Sequence, residues 1–523
     1  MEGKNVFNDS HVARAYFKLA VPLVCSMVVT LIYNLADTFF VAQTGDTNIV
    51  AGVSLGMPVF TLLMAVGNIF GQGGSSLISR LLGQRDEQGV RRASAFCFYA
   101  ALLTGGVIGA VMLLARTPLV WLLGASEETF AHASAYCFWL AAGAPVITLS
   151  FIHSNLLRAE GMSKESMAGT ILGAVANIIL DPIFISTLGM GAAGAAIATV
   201  IGYLLADVFY AAAVIKKSRV LSLDPRQMLV PAQHVGQIMG IGIPAAVVNV
   251  MQSAASVLMN QFLLPYGNDK IAAMGIVLKV SMIALLLLTG FAFGGQPLFG
   301  YYYGAGDKQR FRSLLRFCLG FISGSALVLT VGICLAAPAL MRIFMDNDSI
   351  VRDGVIMLRW QVVTMIFVGA VLLLSILFQS TGKAGAAFVL SISRQGVIFA
   401  LALVAGRALA GYTGILAAQA AADALTALVA GGLFCTQLYP ELKYKESVPE
   451  RPDHPAEWVG SSWHTISKPL LTGCDSCKGR FFCFPGCRAE WCRLELCGLG
   501  NGSSKRMAFA MHPSRQECTK TSR

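Results

Sequence analysis

The sequence predicts an all-α, polytopic membrane protein: twelve transmembrane helices as two six-helix bundles, followed by a tail of different character. Three observations carry that reading. Charged residues are 13% and hydrophobic residues 55% of the 523, with a mean hydropathy of +0.66, whereas a soluble domain is about 25% charged. Twelve apolar stretches each reach the ~20 residues a helix needs to cross a bilayer. Short motifs recur along the chain at a near-constant spacing. So little charge cannot cover a large water-facing surface, which excludes a soluble enzyme, a nucleic-acid binder and a disordered chain despite the net charge of +11. Membrane proteins gather Lys and Arg in their cytoplasmic loops, and that accounts for the charge.

In chain order the stretches cover 15–41, 50–79, 93–115, 131–155, 166–187, 192–215, 236–264, 271–300, 314–338, 355–379, 386–406 and 412–436. The first ten residues are polar and no small-residue cleavage site follows the first apolar run, so no secretory signal peptide is expected. Several stretches exceed the bilayer thickness and must tilt or project. Small-residue runs such as 191–202 suit close helix packing. The N-terminus and the loops after the even-numbered helices carry 18 Lys and Arg, against five in the opposite loops. That bias puts both termini in the cytoplasm of a multi-pass plasma-membrane protein, the inner membrane in a bacterium.

The repeat is read from four matches in order. Leu19-Ala-Val-Pro22 resembles Ile241-Gly-Ile-Pro244, Gly71-Gln72 matches Gly295-Gln296, Gly161 matches Gly382, and the run from Gly194 matches that from Gly414, at offsets of 222, 224, 221 and 220. Two halves of one orientation follow, 1–220 and 221–440, an arrangement common among secondary transporters. Residues 441–523 differ: 22 of these 83 are charged, against 45 of the first 440, and they hold seven of the 13 cysteines. Cys474, Cys477, Cys483 and Cys487 could supply four thiolates to zinc, but a zinc ribbon expects two CxxC pairs and only one is present. The tail is expected to be a cytoplasmic extension, disordered or aberrant, rather than a metal domain.

Ionisable side chains within spans are costly, at least about 2.5 kcal/mol at a helix centre, and so point to function. They are Asp37, Asp181, Asp207, Lys279, Arg394 and Asp423. At about 1.5 Å per residue, Asp37, Asp181 and Thr199 fall at similar depth below the outer face, and Asn177 lies one turn from Asp181. Pro182 has no N–H for the carbonyl of Ile178 and so frees a further oxygen at this level. Two carboxylates, an amide and a hydroxyl form a hard-oxygen set suited to a proton or a small cation. Asn68 and Gln72, one turn apart in the second helix, are candidates for a substrate cavity, with polar helix packing the preferred reading. The run Gly71–Ser76 lacks the Gly-Lys-Ser/Thr end of a phosphate loop, and no other ATP motif is visible, so no ATPase subunit and no cofactor beyond a coupling ion are expected.

Leu19-Ala-Val-Pro22 with Asp37, Leu157-Arg-Ala-Glu-Gly161, Asn177-Ile-Ile-Leu-Asp-Pro182 and the run Gly191–Thr199 resemble the multidrug and toxic compound extrusion (MATE) family over residues 10–440. The resemblance implies two six-helix bundles in a V, acting as a monomeric secondary antiporter that exports amphipathic, often cationic, drugs in exchange for H+ or Na+. It implies a cation site at Asp37, Asn177, Asp181 and Thr199. One branch of the family has a glutamate in helix 7, near Ser253 here, but 245–264 contains no acid, which favours the N-half branch. The alternatives are a lipid-linked oligosaccharide flippase of the same superfamily, with a cationic cavity, and an intramembrane transferase. The transferase would need clustered His or Asp near a membrane face, and His153 with the scattered Asp residues offers no such cluster. Removing 445–523 is expected to leave transport per folded molecule unchanged. Efflux lost at equal membrane abundance, or stoichiometric zinc that disappears on truncation, would reverse the reading of the tail.

Overall fold

The structure, a computed structural model, describes residues 6–344 and 348–443 of the chain; the tail cysteines proposed as zinc ligands lie outside them. Among the described residues every regular element is a helix. The spans are α1 (Val12–Ala42), α2 (Thr47–Gly83), α3 (Glu87–Leu114), α4 (Glu127–Ala142 then Ala144–Ala159), α5 (Ser163–Asp181 then Pro182–Thr187) and α6 (Gly191–Lys217). They continue with α7 (Ala232–Leu263), α8 (Asn268–Gly294 then Gln296–Gly304), α9 (Lys308–Phe344) and α10 (Asp348–Val362 then Met365–Ser380). A last apolar run, Ala384–Lys443, is 60 residues long, about 90 Å if straight and three times a bilayer core of about 30 Å. It turns at Gly411, where φ is 56° and ψ is −125°, and Gly406 lies backbone to backbone against Gly414 across the bend. The part before Gly411 is α11 and the part after it α12, which completes the twelve.

Local chemistry explains the boundaries. Asp46 caps α2 by accepting from Asn48 N at 2.8 Å, and Asp86 caps α3 by accepting from Gly89 N at 2.8 Å. Ser126 and Thr129 form a reciprocal capping box at the start of α4. Several long helices are broken where the sequence reading drew continuous spans. α4 bends by 54° at Gly143 and α10 by 41° after Val362. α8 is interrupted at Gly295, just before Pro297, which has no N–H to donate. α5 passes at Pro182 into a wider π-type turn, as expected of a proline inside a helix.

The repeat is visible in the backbone. Eight of the ten positive-φ residues among those described fall into four pairs: Gly45 and Gly267, Arg85 and Gly306, Gly161 and Gly382, Gly189 and Gly411. Their separations are 222, 221, 221 and 222 residues. Equivalent turns in the two halves thus adopt the same strained conformation, which glycine meets without a steric penalty. Arg85, the one non-glycine left-handed residue among those described, fills such a turn between α2 and α3.

The halves meet near the end that carries the basic loops. Tyr16 donates to Phe291 O at 2.7 Å, Arg80 donates to Gln237 Oε1 at 2.9 Å and to Ser380 O at 3.4 Å, and Ser76 donates to Gln379 O. Glycines bring backbones together along the same seam: Gly242 against Ile69, Gly73 against Ile238, Gly304 against Arg80 and Gly294 against Ala20. The sequence reading assigned glycines to close packing, and here that packing joins one half to the other. A methyl group at Gly242 would overlap Ile69 O, while one at Gly106 meets nothing within 4 Å. Gly242→Ala is therefore expected to destabilise by ~1–3 kcal/mol, read as a melting temperature several degrees below the parent's in detergent, with Gly106→Ala unchanged. Equal melting of the two variants would remove the seam's steric role.

Candidate cation site and central cavity

Three of the four expected cation-site residues are in direct contact. Asp181, Asn177 and Thr199 are 0%, 2% and 5% exposed. α5 presents Asn177 and Asp181 one turn apart, and the Asn177 amide joins them to α6: Nδ2 donates to Asp181 Oδ2 at 2.8 Å and Oδ1 accepts from Thr199 N at 3.0 Å. Asp37, on α1 against α5, stands apart. It is half-buried and near enough for its charge to act on Asp181 and Tyr136. Oδ1 of Asp37 and Oδ1 of Asp181 are both buried without a hydrogen-bond partner. Two orphaned carboxylate oxygens, one of them beside an amide and a hydroxyl, are chemically suited to a proton or a small hard cation.

Three tyrosines missed in the sequence reading surround this cluster. Tyr33 lies one turn before Asp37 on α1, and Tyr203 one turn after Thr199 on α6, so helical spacing could have found both. Tyr136 comes from α4, packs on Gly56 and feels both aspartates; nothing local in the sequence marks it.

Below the cluster a cavity of about 490 Å3 separates the halves. Asn68 and Gln72 are on its wall, together with Asn249, Gln252 and Gln379 from the second half. Asn177 and Thr199 also line it. Among the described residues its charged wall residues are Arg158 and Arg394, and no carboxylate lines it. Arg394 Nε donates to Asp423 Oδ1 at 2.9 Å, and Gln419 and Thr364 complete the shell of Asp423 at 3.1 Å each. Arg158 donates to Asn155 Oδ1 at 2.6 Å and to Ser154 Oγ at 2.7 Å.

The second half has no matching acid pair. At the repeat offsets Asp37 corresponds to Met259 and Asp181 to Ala402. At one level the exchange runs the other way. Gly173 and Gly202 let α5 and α6 touch backbone to backbone, and the positions 221 residues later hold the Arg394–Asp423 ion pair. Asp207 pairs with His153, Nδ1 to Oδ1 at 3.2 Å, which corrects the sequence reading of His153 as isolated: the two are 54 residues apart in sequence and meet only because α4 packs on α6.

A family model described as MatE matches residues 22–183 and again 244–404. The chain belongs to the MatE family. The two matches within this MatE chain start 222 residues apart, the spacing already read from its motifs and its turns. The multidrug export protein MepA of Staphylococcus saprophyticus subsp. saprophyticus is 29% identical over 424 residues, 81% of this chain and 94% of that protein. The MepA of Staphylococcus aureus matches to the same extent. Among solved structures, a multidrug resistance MATE family transporter of the MOP superfamily in an outward-facing conformation is 25% identical with a TM-score of 0.79, over 85% of this chain and 99% of that one. A MOP superfamily transporter from Pyrococcus furiosus, described as having a binding pocket of reverse polarity, is 26% identical with a TM-score of 0.79 over the same shares.

If Asn177 holds Asp181 as described, Asn177→Ala and Asp181→Asn should be non-additive in thermal unfolding by about 1.5–3 kcal/mol, the range for a hydrogen bond to a charged group. Asn177→Ala and Asp37→Asn, which share no hydrogen bond, should add to within about 0.5 kcal/mol. Additivity in the first pair would dismiss the contact.

Proposed function

We propose that the chain is a secondary antiporter that exports amphipathic drugs, cationic ones among them, in exchange for H+ or Na+. The observation that carries this reading is that Asn177 and Thr199 belong both to the carboxylate cluster and to the cavity wall. Coupling requires that a bound ion change the relative stability of two conformations and of the cargo within them. Side chains shared by both sites provide that link. A cationic cargo in the cavity meets side chains that also bind the aspartate cluster, so cargo and ion compete for the same negative charge. Asp37 is the main titrating or ligating group, Asp181 its charge partner, and Asn177 and Thr199 complete the oxygen shell. The halves 1–220 and 221–440 act as the two moving bodies, as a monomer without an ATPase subunit. The loop charges support cytoplasmic termini in the plasma membrane. The names of the relatives support export over the intramembrane transferase reading.

A lipid-linked oligosaccharide flippase is the second reading. Arg158 favours it, since its hydrogen bonds described above go to neutral acceptors and leave a positive charge on the cavity wall. The neutralised Arg394 and the orphaned acids of the first half weigh against it.

The test is efflux of a fluorescent cationic dye from cells under an imposed proton or sodium gradient. One gradient should drive efflux, and Asp37→Asn, Asp181→Asn and the double variant should each lose it to a similar extent at equal folded abundance, because either change empties one shared site. Wild-type efflux by Asp37→Asn would overturn the coupling assignment. Losses that multiply in the double variant would count against a shared site.

A further inference from the structure

We propose that His153 and Asp207 form a second proton-binding site, between the Asp37–Asp181 cluster and the basic end of the first half. The proposal deepens the antiport reading and rests on it for its role in transport. Its chemistry rests on the pair itself. His153 and Asp207 are 3% and 5% exposed, and Nδ1 meets Oδ1 at 3.2 Å. The outer atoms, His153 Nε2 and Asp207 Oδ2, are buried with no partner. A hydrogen bond that merely joined α4 to α6 would not need them, and each unpaired buried polar atom costs about 1–3 kcal/mol. With Nδ1–H donated to the carboxylate, Nε2 is a free acceptor for one more proton. The pair can therefore switch from a net charge of minus one to zero without breaking the bond that holds it.

The position of the pair gives that proton a purpose. α6 carries Thr199, Tyr203 and Asp207 at four-residue spacing, with Tyr210 three residues further, so all four share a face. Asp207 is about 12 Å nearer the basic end than Thr199. Because the halves are sealed along the seam at that end, a proton taken up by the aspartate cluster reaches the basic end through the first half.

The groups facing the pair come from three helices. Tyr203 and Tyr210 on α6 both feel Asp207, and Ser150 on α4 lies near it. Phe98 on α3 stacks at 5.2 Å from the imidazole, centroid to centroid. Beyond Tyr210 stands the guanidinium of Arg158, whose charge acts on Tyr210. α5 contributes the hydroxyl of Thr170 to Tyr210, at 2.9 Å.

The experiment uses the full chain in lipid nanodiscs, labelled with 15N-histidine; the sequence holds seven histidines. His153→Gln, or Asp207→Asn if the first does not fold, assigns the His153 resonance. In the parent protein that resonance should respond to pH across a pH series, and the response should change in Asp207→Asn. A His153 that holds one protonation state across the range would overturn the site, whatever the transport data show. The second readout is proton-driven dye efflux per folded molecule across the same pH series. His153→Gln should lose the parent's pH dependence while binding the dye as the parent does. An unchanged pH profile with a lowered melting temperature would reduce the pair to a helix clamp and overturn its role. Failure of the antiport reading would look different: Asp37→Asn would keep gradient-driven efflux while His153 still titrated.

Discussion

A carboxylate with no exposed surface, inside a bundle of membrane-spanning helices, cannot stay charged and unpartnered, because removing an ion from water costs several kcal/mol. Asp181 is that group, and much of the first half is arranged around it. Asn177, one turn earlier, gives it a hydrogen bond and ties it to the backbone of α6. Pro182 immediately after it opens the helix into a π-type turn. Asp37 and Tyr136 approach from other helices. What this arrangement leaves undone, an unpartnered oxygen on each aspartate, is the capacity that an exchanged ion would use. In the second half the same cost is met differently: Asp423 is saturated by Arg394, Gln419 and Thr364 and has no such vacancy.

The seam at the basic end and the cavity above it are two results of one packing solution. Backbone contact at Gly73, Gly242, Gly294 and Gly304 lets α1 and α2 lie close against α7 and α8 with few side chains interleaved. Close-packed interfaces of this kind have discrete arrangements rather than a continuum of intermediate ones. The polar cavity wall therefore opens where the glycine contacts end, at the level of Gln72 and Gln379.

Spans, repeat and the Asn177–Asp181 contact were legible because each leaves a periodic or compositional trace. Apolar length marks a span, a constant offset marks a duplication, and a four-residue interval placed Asn177 beside Asp181. Depth arithmetic grouped Asp37 with Asp181 and Thr199, but it could not say that Asp37 stands off from a three-residue cluster. The breaks in α4, α8 and α10 were hidden because hydrophobicity runs through them without interruption. Tyr136 and the His153–Asp207 pair were hidden for another reason. They depend on which helix lies against which, and a single chain read in order carries no direct record of that. The seam glycines were unreadable as such, since nothing in the sequence separates them from the rest of its 53.

The Arg394–Asp423 pair also bears on membrane voltage. A salt bridge carries no net charge, so the potential exerts little force on it when the surrounding half tilts. A single unbalanced charge crossing the same field is worth about 2.3 kcal/mol per 100 mV. A tilt of the second half therefore moves this pair through the field at little electrical cost. The glycine pair of the first half and the ion pair of the second thus give two similar halves different electrical contents at the same level of the bundle.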